Sequence, residues 1–398
     1  MKTTIPLKPT INLASLMKTA ANALDIVNQV RSNMFAPNSH KASPLFTSSR
    51  LAGLCGIEKS KMAYHLKKQT LPGGTKDGAR LEFSLDDAQQ WIKKFRADKL
   101  RDAKTSAGVV ITVANFKGGV GKTSTAAVLA QGLNLRGHKV LIIDADAQGS
   151  ISTMMGLDPT DVTEDQTLLP IFTGEKTSIL DVLQTTYWSG VDIVAAGPAL
   201  YNAEFILPSR QKTEKGFEFW KVLENSLVEA LDIYDAIIID SPPSLSYITI
   251  NTLLAANGLV MPLPPNALDF ASSAQFWNLF TELFEGLYKD QDAAKKYYFI
   301  DILLSRVDKA DVVSAAVRNW IIAAYGGNVL PIEIPKTSIA ATASAEFGTV
   351  YDLDPSSTKS STLIRARDAY DLFVDYIEMQ MIGIWSNDSI SNKQGNLK

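Results

Sequence analysis

The residues best equipped for chemistry lie together in Asn115-Phe116-Lys117-Gly118-Gly119-Val120-Gly121-Lys122-Thr123-Ser124. Glycines let successive backbone N–H groups curl around an anion, and a helix starting directly afterwards adds the positive end of its dipole. The flanks supply that context. The β-branched run Val109-Val110-Ile111-Thr112-Val113-Ala114 reads as a buried strand, and Ser124 to Leu135 as a helix. The pattern predicts a phosphate-binding loop built from Lys117, Gly118, Gly119, Val120, Gly121, Lys122, Thr123 and Ser124. Lys122 is placed to neutralise the β- and γ-phosphates of ATP, and Thr123 to hold Mg2+.

Two acidic motifs follow. Leu141-Ile142-Ile143-Asp144-Ala145-Asp146-Ala147-Gln148-Gly149-Ser150 ends a strand in two acids, and Tyr234-Asp235-Ala236-Ile237-Ile238-Ile239-Asp240-Ser241-Pro242-Pro243 ends another in Asp240. Ligands of open parallel sheets bind beyond the carboxyl ends of the strands, so these acids are expected over the same phosphates. Asp240, closing an apolar run, has the place of a carboxylate that holds a water of the Mg2+ shell.

The loop departs from the common form. Phe116 stands where a first glycine is usual, and a second lysine, Lys117, opens the loop. Together with Asp-x-Asp-Ala-Gln-Gly this resembles the deviant Walker A family, whose members include ParA-type partition ATPases, MinD-type ATPases and nitrogenase iron-protein relatives. The resemblance covers about residues 108–380 at motif level and the first hundred residues by layout only. It implies that Lys117 reaches across a dimer to the partner's nucleotide, that Asp146 positions the attacking water and that Asp144 sits near the Mg2+ shell. Lys117, Lys122 and Asp146 are then the expected catalytic residues, and Thr123, Asp144 and Asp240 the expected metal set. Ala147 replaces the usual proline, which touches loop rigidity more than chemistry. The lone Cys55 lies outside this part and argues against a cluster-bearing relative. The last thirteen residues carry no apolar face of the kind that ends MinD-type chains. ParA-type ATPases remain, in the larger subclass with an N-terminal helix-turn-helix and a preceding dimerising helix. Pro262-Leu263-Pro264-Pro265 and Asp269-Phe270-Ala271-Ser272-Ser273 also look like that subclass.

The first 106 residues fit such a layout on their own terms. Leu13, Leu16, Met17, Ala20, Leu24, Val27 and Val30 recur at helical spacing over 11–36, an apolar stripe in need of a partner, before a break at 36–44. Next come a short helix capped by Thr47 or Ser48, a turn at Gly56 and a second helix from Glu58 to Lys68. Arg80 to Phe83 alternates like a strand, and Ser84 caps a further helix. Lysines and Arg80 would meet phosphates, and Ser60, Tyr64 or His65 base edges. The candidate DNA contacts here are Lys59, Ser60, Lys61, Tyr64, His65, Lys68, Lys76 and Arg80. Residues 98–107, charged and small, read as a linker.

Charge agrees with this division. Residues 1–106 hold 18 Lys and Arg against 8 Asp and Glu, a balance of +10, whereas the remainder stands at −13. A basic segment on an acidic one suggests a local nucleic-acid contact. With one cysteine and three histidines the chain offers neither a disulfide framework nor a Cys/His zinc site. No uncharged apolar run approaches the ~20 residues that span a bilayer.

The buried strands beyond Val109 are predicted at 139–143, 191–194, 236–239, 258–261 and 298–304, with helices between them. That pattern means a mostly parallel sheet covered on both faces. The expected fold is therefore an α/β P-loop NTPase with an N-terminal helix and a small winged helix-turn-helix. Its parts are a dimerisation helix (1–44), a helix-turn-helix domain with linker (45–106), the ATPase domain (107–385) and a disordered tail (386–398).

The expected function is that of a DNA partition ATPase that forms an ATP-dependent homodimer on non-specific DNA. A ParB-type centromere-binding protein would stimulate its hydrolysis, and its N-terminal domain would repress its own operon. It would act in the cytoplasm, on the nucleoid and away from membranes. The alternative is a nucleotide-regulated transcriptional repressor, and a metabolic ATPase is a third reading. Arg318, Lys336, Arg365 and Arg367 are the candidates for the non-specific DNA surface.

Overall fold

The computed structural model describes residues 12–34, 41–78, 80–159, 161–288, 295–337, 348–353 and 360–395. The chain divides into two units, Met1–Ala42 and Ser43–Lys398. The described part of the first is a single helix, α1 (Leu13–Met34). Asn12 and Ser15 close its first turn by exchanging backbone-to-side-chain hydrogen bonds of 2.9 and 3.0 Å. Leu13, Leu16, Met17 and Leu24 are all more than half exposed, so the helix's apolar stripe is uncovered in the single chain. The predicted break after it lies, up to position 40, outside the described residues.

The second unit begins with β1 (Phe46–Thr47), α2 (Ser48–Cys55), α3 (Lys59–Lys68), β2 (Thr75–Asp77), β3 (Arg80–Phe83) and α4 (Leu85–Phe95). Thr47 caps α2 by accepting from Arg50 N, and Gly56, at φ +64°, makes the left-handed turn that releases the chain into α3. The strands form an antiparallel sheet in the order β1-β3-β2, with Lys76 opposite Leu81. Ser84 and Asp87 close the start of α4 as a capping box. Phe46, Leu51, Met62, Phe83 and Trp91 fill the space between these elements. Two helices about a glycine turn, followed by a β-hairpin, give the predicted winged layout. Ala79, at the hairpin tip, lies outside the described residues.

The second unit continues with β4 (Val109–Val113), α5 (Lys122–Asn134), β5 (Val140–Asp144), α6 (Ser150–Met154), α7 (Leu169–Thr173), β6 (Gln184–Thr185) and β7 (Val191–Val194). Then come α8 (Ala203–Thr213), α9 (Val222–Ser226), α10 (Ala230–Ile233), β8 (Ala236–Asp240), α11 (Tyr247–Ala255) and β9 (Gly258–Leu263). The last elements are α12 (Ala267–Leu287), β10 (Phe299–Val307), α13 (Val312–Tyr325), β11 (Val329–Pro335) and α14 (Ser360–Gly395). Eight strands make one sheet in the order β11-β10-β9-β4-β8-β5-β7-β6, parallel except for the edge strand β6. Every residue of β4, β5 and β8 is buried, as helices on both faces demand. Strand β4 is central, so the loop that leaves it opens onto the middle of the carboxyl edge.

Two expectations are corrected. Residues 98–107 do not form a free linker. Arg101 is almost wholly buried, bonds Asp235 at 2.8 Å and donates to the carbonyls of Ser106, Leu231 and Asp232. The charge that suggested solvent is spent on backbone carbonyls and one acid. The expected disordered tail from 386 is helical to Gly395, because α14 runs on without a stop signal. Positions 396–398 lie outside the described residues.

The winged part also shares its core with the nucleotide part. Gln89 Nε2 donates to Asn134 Oδ1 (2.9 Å), and Arg96 pairs with Glu378 (2.6 Å). His138 sits fully buried between Glu378 (2.7 Å) and Asp235 (3.8 Å).

Candidate nucleotide site

At the end of β4, Asn115 donates to the Pro262 carbonyl (2.9 Å) and accepts from Lys117 N (3.1 Å), which anchors the start of the loop on the neighbouring strand. Gly119 and Gly121 have φ of +76° and +97°, and a Cβ would meet nothing within 4 Å at either. Backbone conformation, not space, requires glycine at both. Lys122 is buried and its Nζ reaches back over the loop to the Lys117 carbonyl (3.1 Å). Burial holds its pKa below the ordinary lysine value, opposed by the charges of Asp240 and Asp146. A lysine held in this way gains its charge partner when a phosphate enters.

Asp240 is buried, and neither of its oxygens has a hydrogen-bond partner of ordinary geometry. Burial and the neighbouring Asp144 push its pKa well up, tempered by the Thr123 hydroxyl and by Lys122. A buried, unpartnered carboxylate at the mouth of a phosphate loop fits a hydrated Mg2+, which would satisfy it.

Asp144 differs from its expected place beside the metal. One of its oxygens takes the Asp146 N–H (3.1 Å), and the other takes both the N–H (3.1 Å) and the hydroxyl (2.7 Å) of Ser152. Its pKa is raised to about 7 by burial, against the pull of those Ser152 bonds. Asp144 therefore folds the loop that presents Asp146, which borders the cavity with Lys122. Gly149 in the same loop must be glycine, because a Cβ would lie 2.7 Å from Pro159 and 2.9 Å from the Ala196 carbonyl.

These groups face one cavity of about 820 Å3, lined also by Ser124, Ser150, Arg306, Asp308, Pro335 and Lys336. Its volume suits a nucleoside triphosphate. Lys117, at the rim, is ion-paired with Asp269 at the start of α12.

The sequence analysis missed three contributors. Asp269 was read only as part of a subclass motif. Gln148 donates to the Tyr201 hydroxyl (2.6 Å), and Ser305 and Arg306 at the end of β10 bond the phosphate loop itself. No local signal marks these, since their roles arise from strands brought together by the sheet.

Of the expected DNA contacts, Lys59, Ser60, Tyr64, Lys68, Lys76 and Arg80 are exposed. His65 is not placed as a base reader. Its ring packs edge-on against Trp91 and Phe95, and Nδ1 bonds Thr70 (2.8 Å). Lys61 lies over the Phe95 ring (5.0 Å). Among the non-specific candidates Arg365 is exposed, whereas Arg367 is tied to the carbonyls of Val350 and Leu353. Arg318 is ion-paired with Glu333, and Lys336, 3.6 Å from Asp308, borders the nucleotide cavity. Thus Arg367 is a structural residue, and Arg318 is already neutralised. No described helix is long and apolar enough to cross a membrane.

A family profile described as an AAA domain matches residues 108–291. A protein of Sinorhizobium fredii, provisionally named replication protein A, is 31% identical over 349 residues, 84% of this chain and 85% of its own. The chromosome partitioning protein ParA of Caulobacter vibrioides is 30% identical over 250 residues, 61% of this chain and 87% of its own. A solved structure described as a partition protein superposes with a TM-score of 0.64 at 17% identity, covering 91% of this chain and 98% of that one.

Proposed function

The chain belongs to the ParA-type partition ATPases, and we propose that it is a DNA-segregation ATPase that uses ATP binding and hydrolysis to switch its grip on DNA. The observation that carries the reading is the unpartnered, buried Asp240 carboxylate beside Thr123 and Lys122, in the cavity that Asp146 also borders. The loop's backbone N–H groups and Lys122 hold the β- and γ-phosphates. Thr123 and Asp240 hold a hydrated Mg2+, whose charge offsets that developing on the phosphates. Asp146, kept in place by the Asp144–Ser152 contacts, orients the attacking water.

Lys117 reaches the nucleotide of a second copy once ATP draws two chains together. The exposed stripe of α1 supplies a second, nucleotide-independent dimer contact. In that dimer the winged parts, through Lys59, Ser60, Tyr64, Lys68, Lys76 and Arg80, bind the operator of the chain's own operon and repress it. Arg365, with Lys336 nearer the nucleotide, serves non-specific DNA. A ParB-type centromere-binding protein triggers hydrolysis and release on the nucleoid.

The test is binding to random DNA and to the gene's own upstream DNA with ADP, ATP and a slowly hydrolysed analogue. Retention on random DNA with ATP and the analogue, but not with ADP, is expected. Binding that ignores the nucleotide would overturn the reading.

A further inference from the structure

At the carboxyl end of β10 the pairing with β11 slips. Leu304 faces Glu333 and Val307 faces Pro335, so Ser305 and Arg306 together oppose the single residue Ile334. At this bulge Arg306 has φ +53°, one of two described non-glycine residues with positive φ. The other, Gln69, merely ends α3. A left-handed conformation is unfavourable for a long side chain, and bulges beside active sites re-aim side chains. Here both re-aimed residues meet the phosphate loop. The buried Ser305 hydroxyl donates to the Val120 carbonyl (3.0 Å), and Arg306 Nη1 donates to the Gly119 carbonyl (2.6 Å).

We infer that Arg306, with Ser305, is a positioning residue that presets the phosphate loop for nucleotide. The inference rests on the nucleotide reading above. A loop that offers N–H groups to phosphate must keep its carbonyls turned away, because a carbonyl oxygen facing the anion would repel it. Gly119 is free to rotate in either direction, since nothing would obstruct even a Cβ there. Its peptide therefore needs an outside partner to fix its sense, and the guanidinium is that partner. A charged donor suits the task, being stronger than a neutral one. The bulge explains why Arg306 is strained: ordinary strand geometry would alternate the side chains of Ser305 and Arg306 to opposite faces, whereas the slip delivers both to adjacent carbonyls of one loop. Arg306 also lines the nucleotide cavity, so the contact lies where binding reads it out.

The experiment measures ADP and ATP affinity, steady-state kinetics and nucleotide-free melting for the full chain and for Arg306→Asn, Arg306→Lys and Ser305→Ala. Asparagine tolerates the left-handed backbone but removes the guanidinium. Arg306→Asn should weaken both nucleotides about tenfold, the loss of one charge-assisted hydrogen bond. It should raise KM with kcat changed by less than about threefold, because the contact is the same in ground and transition states. Melting without nucleotide should stay within about 2 °C of wild type. Arg306→Lys should recover most of the affinity, and Ser305→Ala should lose less than Arg306→Asn. Unchanged affinity in Arg306→Asn overturns the inference, as does a parallel loss of affinity and nucleotide-free stability. A wild-type chain that binds neither nucleotide overturns the nucleotide reading itself.

Discussion

Lys117 and Asp269 are ion-paired across the rim of the nucleotide cavity, the lysine on the phosphate loop and the acid on the first turn of α12. Asp269 is buried while Lys117 remains about a third exposed, so the pair is anchored from the acid's side. A lysine so held cannot at the same time serve a second chain's nucleotide. Asp269→Asn should free it and lower the ATP concentration needed for dimerisation severalfold, measured by sedimentation of the 1–44 deletion to remove the contact through α1. Lys117→Gln should bind ATP near normally yet fail to dimerise with it. Dimerisation of Lys117→Gln at wild-type ATP concentration would show that the lysine has no such role.

The joint between the winged part and the sheet is equally specific. Glu378 on α14 accepts from Arg96 at the end of α4 (2.6 Å) and from His138 after α5 (2.7 Å). Removing it leaves two buried cations without their acid. Glu378→Ala should therefore cost about 3–5 kcal/mol in urea unfolding, the range for breaking a buried ion pair from one side. A cost below ~1 kcal/mol would place the joint among surface pairs.

The same cluster gives stability a dependence on pH. Burial works to lower the pKa of His138, but its hydrogen bonds to Asp235 and Glu378 and their charges prevail and raise it above the usual value. Asp235 and Glu378 are both held low against burial, chiefly by bonding to His138. The histidine's contribution is thus full below about pH 6.5 and is lost as pH rises through its higher folded value. The acids' contributions are present above about pH 4.5 and are lost as pH falls through their lower folded values. Melting temperature should decline on the alkaline side, and His138→Gln should flatten that decline. An identical alkaline slope in the variant would remove His138 as its cause.

Arg365 and Arg367 are neighbours on α14 with opposite fates. Arg365→Glu should weaken binding to random DNA and reduce its salt slope by about one, as for the loss of one phosphate contact. Arg367→Glu should instead destabilise the turn at 350–353, which Arg367 holds through two carbonyls. An unchanged salt slope in Arg365→Glu would clear it of DNA contact.

The central strands and the phosphate loop were legible because their signals are local. β-branched runs, left-handed glycines and a helix start all fall within consecutive residues. Gly56 was legible for the same reason. What escaped were pairings across the sheet and between parts. β11 contains Pro331 and alternates weakly, as an edge strand does. Arg101 and Arg367 looked like solvent charges because nothing nearby in sequence announces the carbonyls that await them. His65 looked like a base reader until Trp91 and Phe95, a helix away, came to lie against it. Asp144 was read by resemblance as a metal neighbour, and its engagement by Ser152, eight residues on, has no periodic signature.

The most direct test of the account compares ATP affinity and ATP turnover in the wild-type chain and in Asp146→Ala, with Mg2+ and DNA present. Asp146 borders the cavity but is not asked to hold phosphate, so affinity should stay within about threefold. Turnover should fall about 100-fold or more, as expected when a group that orients the reacting water is removed. Turnover near the wild-type rate, or loss of binding in a folded protein, would contradict the account.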